Sequence, residues 1–479
     1  MKHDVLTARS LSSRWVSHLR SRIAGIATAG LALALMLGTT AAHAGVPGAP
    51  AAPAAAVPAA TAAPASPADE AHGTVIVQLG DHELVARPIT FTAPISGLAA
   101  LQLSGLEVVT TSTSFGTVVC SIEGVGCPAD DCFCGDSKFW GYKSWDGAAW
   151  QDYMVGAGDS SLSDGAVEGW RWGEWGSVMW PAQPVTAALQ ALDWLKGQQS
   201  LADGGYGGDG GSAEALLAIS ANGYRAGEWQ RHAGSPSLIG YWLARARSYS
   251  SQGAAQAGKL AAGAVAGEMC WPRSAPQPRD YYDETTGIYA EGAGPQAWAM
   301  LGEASLDRAI PPEAIAYLKG LAQPGSGFEW GPGWGADTNA TALAMQALIA
   351  TGEPISSPLV MDGLAYLRAA QNEDGGFPYQ PDSPWGTDSD ANSTAYVIET
   401  LRAAGEDPNG AAWSKGANTP ISFLMSLQMD DGSFEWQGGQ GSNLLATEQA
   451  VVALLGRTFP LRTADTAGCP AVHLPLTGR

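Results

Sequence analysis

The chain has 479 residues and a formal net charge of −21 at pH 7. This acidity favours solubility and argues against nucleic acid or anionic lipid as a partner, because both are negatively charged. The length is enough for two domains with hydrophobic cores of their own.

The N-terminus has the pattern of an export signal. Basic residues precede an apolar run over residues 23–37, and Ala42-His43-Ala44 supplies a small-x-small cleavage site before Gly45. We therefore expect a signal peptide over 1–44, an Ala/Pro-rich linker over 45–71, and a secreted or extracytoplasmic protein, associated or not with the cell surface. No membrane span is expected after cleavage; a retained anchor at the apolar run is the alternative.

Six cysteines remain in a chain that we expect to be exported. Four lie in one short window: Cys120, Cys127, Cys132 and Cys134. An oxidising compartment favours two disulfides, and the window lacks the Cys-x-x-Cys pair that is typical of a zinc site, which is the alternative. Cys270 and Cys469 are far apart in sequence, so they either pair with each other or stay free.

Residues 72–180 have the composition of a small β domain. Strand-forming residues recur in short runs, and Asp146-Gly147 follows an aromatic run as a turn signal. Alternation places Trp170 and Trp172 on the same face of their strand. The predicted strands cover residues 74–79, 106–109, 116–119, 139–147, 150–153 and 164–172.

From residue 182 to residue 462 the chain repeats one helical unit. An aromatic-Leu pair leads to a Gln and then to an aspartate- or glycine-rich turn closed by an aromatic residue; the copies start at Trp194, Tyr317, Tyr366 and Phe423. A fixed period of this size predicts one helical hairpin per repeat and five or six hairpins in total. The end repeats lack polar caps, so we expect a closed double ring rather than an open solenoid.

The second helix of each hairpin has a recognisable start. Asp337, Asp390 and Asn443 each precede an aligned threonine by four residues, and each is a good N-cap residue. These second helices are hydrophobic all round, which predicts that they lie inside the ring. The Gly-rich turn before them requires positive φ angles.

The segment from Gln371 to Phe377, and its copies, resemble the repeats of squalene/hopene cyclases and protein prenyltransferase β subunits. The resemblance implies a multidomain chain with an α/α toroid over 182–462, a small mainly-β domain over 72–180 and a tail over 463–479. Cobalamin carriers of the transcobalamin type share the toroid, and residues 447–459 look like their last inner helix. Their small domain resembles 72–180, although here it precedes the toroid. This likeness implies a cobalamin-like ligand; no other cofactor is expected.

Catalytic chemistry is not evident in the repeats. The cyclases use Asp-x-Asp-Asp, whereas this chain has Asp390-Ala391-Asn392-Ser393 and, one repeat earlier, Asp337-Thr338-Asn339-Ala340. Only the first aspartate is present in each, and the helix dipole there favours an ionised cap over a proton donor. The prenyltransferases bind zinc, but His232 and Cys270 are the only His and Cys of the repeat region. We expect no catalytic residue and no metal.

Three functions therefore remain open. The first is a binding protein that holds a small molecule in the toroid funnel, corrinoid-like or apolar, with the β domain alongside. The second is an envelope interaction scaffold without a ligand, and the third is a divergent terpene cyclase or prenyltransferase-like enzyme. Leu474-Pro475-Leu476-Thr477-Gly478 spells a sorting signal but lacks a following hydrophobic segment. The candidate ligand contacts are Asp337, Asn339, Asp390, Asn392, Trp330, Trp334, Trp385 and Trp436.

Overall fold

The computed structural model describes residues 70–114, 116–272, 274–325, 327–384 and 386–461. The predicted signal peptide, the linker up to residue 69, Trp385, Cys469 and the tail over 463–479 lie outside the described residues. The strands and the first helix of the N-terminal part, which we call the sheet region, are β1 Glu70–Gln78, β2 Leu84–Thr92, α1 Gly97–Leu103, β3 Val108–Thr113, β4 Gly116–Ile122, β5 Val125–Gly126, β6 Phe139–Trp145, β7 Trp150–Asp152 and β8 Ala166–Gly173.

The sheet region contains a five-stranded sheet in the order β2-β1-β8-β6-β7 and a three-stranded sheet in the order β3-β4-β5. β1 and β8 are parallel, and the other neighbours in the larger sheet are antiparallel. Disulfides join Cys120 to Cys132 and Cys127 to Cys134, which confirms the predicted two disulfides. Cys270 is also disulfide-bonded.

The two faces of the larger sheet pack against different partners. Val75 and Val77 of β1 belong to a core that the sheet region forms with itself, together with Trp170 and the partly buried Trp172, as the alternation predicted. Ile76, which points to the opposite face, belongs to the core of the helices that follow. The sheet is therefore buried on both faces over β1, β2 and β8.

The rest of the described chain is helical, with one short hairpin; we call it the helical region. Its elements are α2 Ala182–Gln198, α3 Asp209–Ala221, α4 Leu238–Ser250, α5 Ala254–Ala266, α6 Ala293–Ser305, α7 Pro312–Gly320, β9 Phe328–Glu329, β10 Ala336–Asp337, α8 Thr338–Ala350, α9 Pro358–Ala370, α10 Ala391–Ala403, α11 Pro420–Ser426 and α12 Leu444–Leu454. No described helix is both long enough and hydrophobic enough for a bilayer span.

Six of these helices contact one another in a closed cycle. α3 contacts α5, and the contacts continue through α6, α8, α10 and α12 back to α3. α8 is buried at nearly every position, whereas α9 buries only Val360, Gly363, Leu364, Leu367 and Ala370. This spacing is that of a single apolar stripe. α8 is thus buried on all sides and α9 on one side only, which is the difference that their hydrophobic patterns predicted.

The repeat motif holds each turn with side-chain hydrogen bonds. Gln371 Nε2 donates to the carbonyl oxygens of Gly375 at 3.0 Å and of Trp413 at 2.8 Å. The backbone N–H of Phe377 donates to Thr394 Oγ1 at 3.0 Å. Phe328 and Phe434 make the same bond to their aligned threonines, at 2.8 and 2.9 Å. The repeated Gln and Thr therefore satisfy buried backbone groups that the turn leaves without helical partners.

The sheet region contacts the C-terminal ends of α3, α10 and α12. Asn222, which follows α3, accepts a hydrogen bond from the Ala86 N–H at 2.7 Å and donates to the Ala86 carbonyl at 2.9 Å. Arg402 in the last turn of α10 donates to the carbonyl of Asp81 at 2.7 Å, and Arg457 beyond α12 donates to the carbonyl of Leu84 at 3.2 Å. The opposite end of the cycle, where α8, α10 and α12 begin, is the N-terminal rim.

Candidate functional site

The aspartates of the N-terminal rim are helix caps. Asp337 Oδ1 accepts the N–H of Ala340 at 2.7 Å, and Asp390 Oδ1 accepts the N–H of Ser393 at 2.8 Å. Asn443 caps α12 in the same way, at 3.0 Å from Ala446 N. The predicted N-caps are confirmed at all three positions. Because local sequence fixes a cap, these positions could be read from the chain alone.

Burial opposes ionisation of both aspartates. Burial raises the pKa of Asp337 to about 6, against hydrogen bonds from the backbone of Ala340 and Trp330 that lower it. Burial likewise raises the pKa of Asp390, against the lowering contribution of Ser393. The predicted effect of the helix dipole, which favours the ionised form, is thus opposed by the loss of hydration on burial.

Two of the predicted aromatic contacts hold the rim loops. The backbone N–H of Trp330 donates to Asp337 Oδ2 at 2.9 Å. Its indole lies so close to Gly294 that a Cβ on that glycine would be 2.5 Å from the ring. The carbonyl of Trp436 accepts the N–H of Ala391 at 2.9 Å. Trp334 is 66% exposed.

The two rim asparagines differ in their contacts. Asn339 follows the Asp337 cap and is half-buried, with its side chain 3.5 Å from the Thr338 hydroxyl. Asn392 Nδ2 donates to Gln449 Oε1 at 2.7 Å, which joins the start of α10 to the second turn of α12. Asn392 is therefore the point at which the predicted rim residues meet a polar network inside the cycle.

A group of polar side chains lies inside the cycle, and every one of the six helices contributes to it. We call it the interior cluster. Its members are Glu214 (α3), Lys259 (α5), Trp298 (α6), Gln346 (α8), Asn392, Tyr396 and Glu399 (α10), and Glu448 and Gln449 (α12).

One half of the interior cluster is built around an ion pair. Lys259 Nζ donates to Glu214 Oε1, and the same ammonium lies 4.6 Å from the centre of the Trp298 ring. Gln449 Nε2 donates to Glu214 Oε1 at 3.2 Å and to the hydroxyl of Tyr396 at 3.1 Å. Hydrogen bonds thus connect side chains of four helices, α5, α3, α12 and α10, in one continuous series.

The other half surrounds Glu399. Gln346 Nε2 lies 3.5 Å from Glu399 Oε2 and donates to Thr400 Oγ1 at 3.3 Å. Gln346 Oε1 accepts the backbone N–H of Phe459 at 2.9 Å. Burial raises the pKa of Glu399 well above its usual value. Burial thus favours the protonated form of this carboxyl group, because the charged form loses its hydration.

Glu448 has an environment unlike that of the other carboxyl groups. It is 1% exposed, and neither of its carboxyl oxygens has a hydrogen-bond partner within the described residues. Burial raises its pKa well above the usual range, and the nearby charge of Glu214 raises it further. A buried polar group left without a partner costs about 1–3 kcal/mol. Glu448 is therefore a buried carboxyl group whose hydrogen-bonding capacity no described residue uses.

The sequence did not predict the interior cluster. The signal was present as charged and amide residues inside helices that are otherwise built from Ala, Leu and Val, such as Glu448 and Gln449 after Thr447. Within the described residues, no three His, Cys, Asp or Glu side chains are grouped as metal ligands. The donors and acceptors of the cluster suit an organic molecule that makes hydrogen bonds.

Comparison with known proteins identifies one part of the chain. Residues 295–451 match the family described as squalene-hopene cyclase C-terminal domain, which confirms the cyclase-type resemblance of the repeats. No curated protein matches the chain. The resemblance of residues 72–180 to a transcobalamin small domain stays a prediction.

Solved structures give low overall similarity. The type II terpene cyclase MstE from Scytonema is 15% identical, with a TM-score of 0.40, and the match covers 57% of this chain and 98% of that one. The ent-copalyl diphosphate synthase from Streptomyces platensis is 18% identical, with a TM-score of 0.34, covering 51% of this chain and 49% of that one. A polysaccharide lyase is 10% identical, with a TM-score of 0.36, covering 57% and 96%.

Proposed function

We propose that this chain, whose residues 295–451 match the squalene-hopene cyclase C-terminal domain family, is an extracytoplasmic protein that binds a small hydrogen-bonding molecule in the interior cluster. In this proposal the ligand approaches from the N-terminal rim, since the sheet region contacts the opposite ends of α3, α10 and α12. The closed cycle of helix contacts supports an α/α toroid as the framework. The two disulfides and the sequence of the export signal support the location.

One observation carries this proposal: the carboxyl group of Glu448 is buried and has no partner within the described chain. Buried polar groups in proteins are paired with protein, water or ligand in the large majority of cases. A hydroxyl, amide or amine of a ligand would satisfy Glu448 at the place where the Glu214–Lys259 pair and Gln449 offer further contacts. A polyene chain has no such groups, so the cluster suits a polar ligand better than a terpene.

The test is to identify what the protein carries after purification from an exporting host. Small molecules released from the wild type, Glu448→Leu and Asp390→Asn would be compared by mass spectrometry, together with a visible spectrum that would reveal a corrinoid. We expect one compound in the wild type and in Asp390→Asn, and its loss from Glu448→Leu, which has no hydrogen-bonding group to offer the ligand. Asp390→Asn is the matched control because it changes a carboxyl group of the rim and leaves the interior unchanged. An equal content in all three proteins contradicts the proposal.

A second function, a divergent cyclase-type enzyme, is favoured by the family match and by the buried carboxyl groups of Glu399 and Glu448, whose pKa values burial raises. An acid held protonated by burial is the kind of group that protonates a substrate. Incubation with squalene or geranylgeranyl diphosphate, followed by a search for cyclic product, tests it. Product formation that Glu448→Gln abolishes in a folded protein would establish the enzyme and overturn the binding proposal.

A further inference from the structure

A cleft of about 660 Å³ lies between the sheet region and the helical region, away from the interior cluster. From the sheet it is lined by Trp145 and Trp150, which are cross-strand partners at the β6–β7 turn. From the helices it is lined by the apolar side chains of Ile421 and Met425 in α11. Its volume is within the range of small-molecule sites.

The cleft exists because one sheet face loses its helical partner. Over β1 and β8 this face packs on the helical core through residues such as Ile76 and Val167. β6 and β7 are the last two strands at that side of the sheet. There Trp145 and Trp150 still pack against the helical core, but they also form one wall of an open space. Both indoles are half-buried rather than enclosed.

Trp145 and Trp150, which we call the aromatic wall of the cleft, are fixed in position by their neighbours. Trp150 Nε1 donates to the carbonyl of Trp180 at 2.8 Å. The Trp150 ring is packed so closely on Gly169 that a Cβ there would lie 2.6 Å from it. Trp145 meets Trp150 edge-to-face, with ring centres 5.3 Å apart. An ordered aromatic surface of this kind binds a ligand with little loss of side-chain entropy.

The remaining polar lining is close to neutral. Lys143 and Asp152 form an ion pair across β6 and β7, so their charges offset each other at the cleft. Gln183 from α2, with Asn409 and Ser422 near the start of α11, adds amide and hydroxyl groups. The chain as a whole carries a net charge of −21, which disfavours an anionic ligand.

We propose that this cleft binds a neutral glycan. A pyranose ring presents apolar C–H faces and a border of hydroxyl groups, which match an aromatic wall bordered by neutral donors and acceptors. Trp145 provides the stacking surface, and the Lys143–Asp152 pair and Gln183 contact the hydroxyl groups. This site is separate from the interior cluster, so the protein holds its small molecule and a saccharide at different places.

Calorimetric titration with neutral hexasaccharides tests this site, using cello-, malto-, xylo- and mannohexaose, with an oligogalacturonate as the charged comparison. We expect at least one neutral saccharide to bind and the oligogalacturonate not to bind. Trp145→Ala should weaken the binding about tenfold, the loss that corresponds to removing one aromatic stacking contact. Trp175→Ala is the matched control: Trp175 is 82% exposed, stacks on Phe139 and lies outside the cleft.

Circular dichroism would establish that the variants are folded. If Trp145→Ala does not fold, Ala148→Arg replaces it, because Ala148 is an exposed lining residue of the β6–β7 turn and a long side chain there narrows the cleft. Failure of all four neutral saccharides to bind overturns the proposal. The proposal is also overturned if the wild type and a folded cleft variant bind a saccharide equally well. Binding of the oligogalacturonate alone would overturn it as well.

Discussion

The N-terminal rim and the interior of the helix cycle both contain buried carboxyl groups with a raised pKa, yet they differ in their hydrogen bonds. Asp390 on the rim has both oxygens occupied at 2.8 Å, one by the Ser393 N–H and the other by the Ser393 hydroxyl. Glu448 in the interior has neither occupied within the described residues. Burial and the direction of the pKa shift are therefore shared by Asp390 and Glu448, and the hydrogen-bond partners are what distinguish the two carboxyl groups.

The largest expected effect tests the structural role of the repeat turns that lead to the rim. Gly375 has a φ of +87°, and a Cβ there would lie 2.7 Å from the carbonyl oxygen of Thr419. Gly375→Val should lower the free energy of unfolding by about 4 kcal/mol, because strained backbone and a backbone clash add. Urea titration would measure it.

Gly352 provides the matched control for that substitution. Its φ is +91°, but nothing lies within 4 Å of the added Cβ. Gly352→Val should cost only the strain of the backbone, about 1–3 kcal/mol. Gly432→Val, where the Cβ would be 2.5 Å from the carbonyl oxygen of Gln190, should behave like Gly375→Val. If Gly352→Val and Gly375→Val lowered the free energy of unfolding equally, the close contact between Gly375 and Thr419 would not contribute to the loss.

The second prediction uses the raised pKa of Asp337, about 6 instead of 3.8. A carboxyl group whose pKa is higher in the folded state contributes stability below its unfolded pKa and loses that contribution as the pH rises through the folded one. Wild type should therefore lose up to about 3 kcal/mol more stability than Asp337→Asn between about pH 4 and pH 7. Urea unfolding of both proteins across that interval measures the difference. Parallel pH curves would contradict the burial of this carboxyl group.

The third prediction concerns Glu448 and separates stability from binding. Glu448→Leu replaces a buried, unpartnered acid by an apolar side chain of similar size, so it should raise the free energy of unfolding by about 1–2 kcal/mol. The same variant should lose the co-purifying molecule. Thermal unfolding and mass spectrometry, carried out on one preparation, measure both. A destabilised variant would show that Glu448 has a structural partner.

The helical repeat could be predicted from the sequence, because its caps and turns depend on residues close together in the chain. The interior cluster could not be predicted, because it is formed by residues that are far apart in the chain. A cap such as Asp337, or the bond from Phe377 to Thr394, depends on residues near in sequence. Glu214 and Gln449, in contrast, come from opposite ends of the helical region. Because the cycle helices are hydrophobic all round, no polar face in the sequence indicated which residues point inward.

In the sheet region, too, local patterns were predictable from the sequence and distant contacts were not. β6, β7 and β8 were predicted from aromatic alternation, and β4 from its β-branched residues. β2 was missed, because Arg87 and Pro88 interrupt its apolar pattern. Arg87 is used at the junction with the helices, where it donates to the carbonyl of Asn222 at 2.8 Å. The presence of an arginine in β2 is explained by its hydrogen bond to Asn222, which lies 135 residues away. A local sequence pattern cannot show such a distant partner.

The smallest expected effect comes from Asp390, and it decides whether the rim is structural. Asp390→Asn keeps an oxygen that can accept the Ser393 N–H, and asparagine is as good an N-cap as aspartate, so stability should change by only a few tenths of a kcal/mol. Asp390→Ala removes the cap and should cost about 1 kcal/mol.

Neither variant should lose the bound molecule, because the Asp390 oxygens already have protein partners. If Asp390 acted as a proton donor, Asp390→Asn would abolish function as completely as Asp390→Ala, since an amide cannot supply the proton. Ligand content and thermal unfolding of the two variants, compared with Glu448→Leu, distinguish these outcomes. Loss of function in Asp390→Asn without loss of stability would transfer the functional role from the interior to the rim.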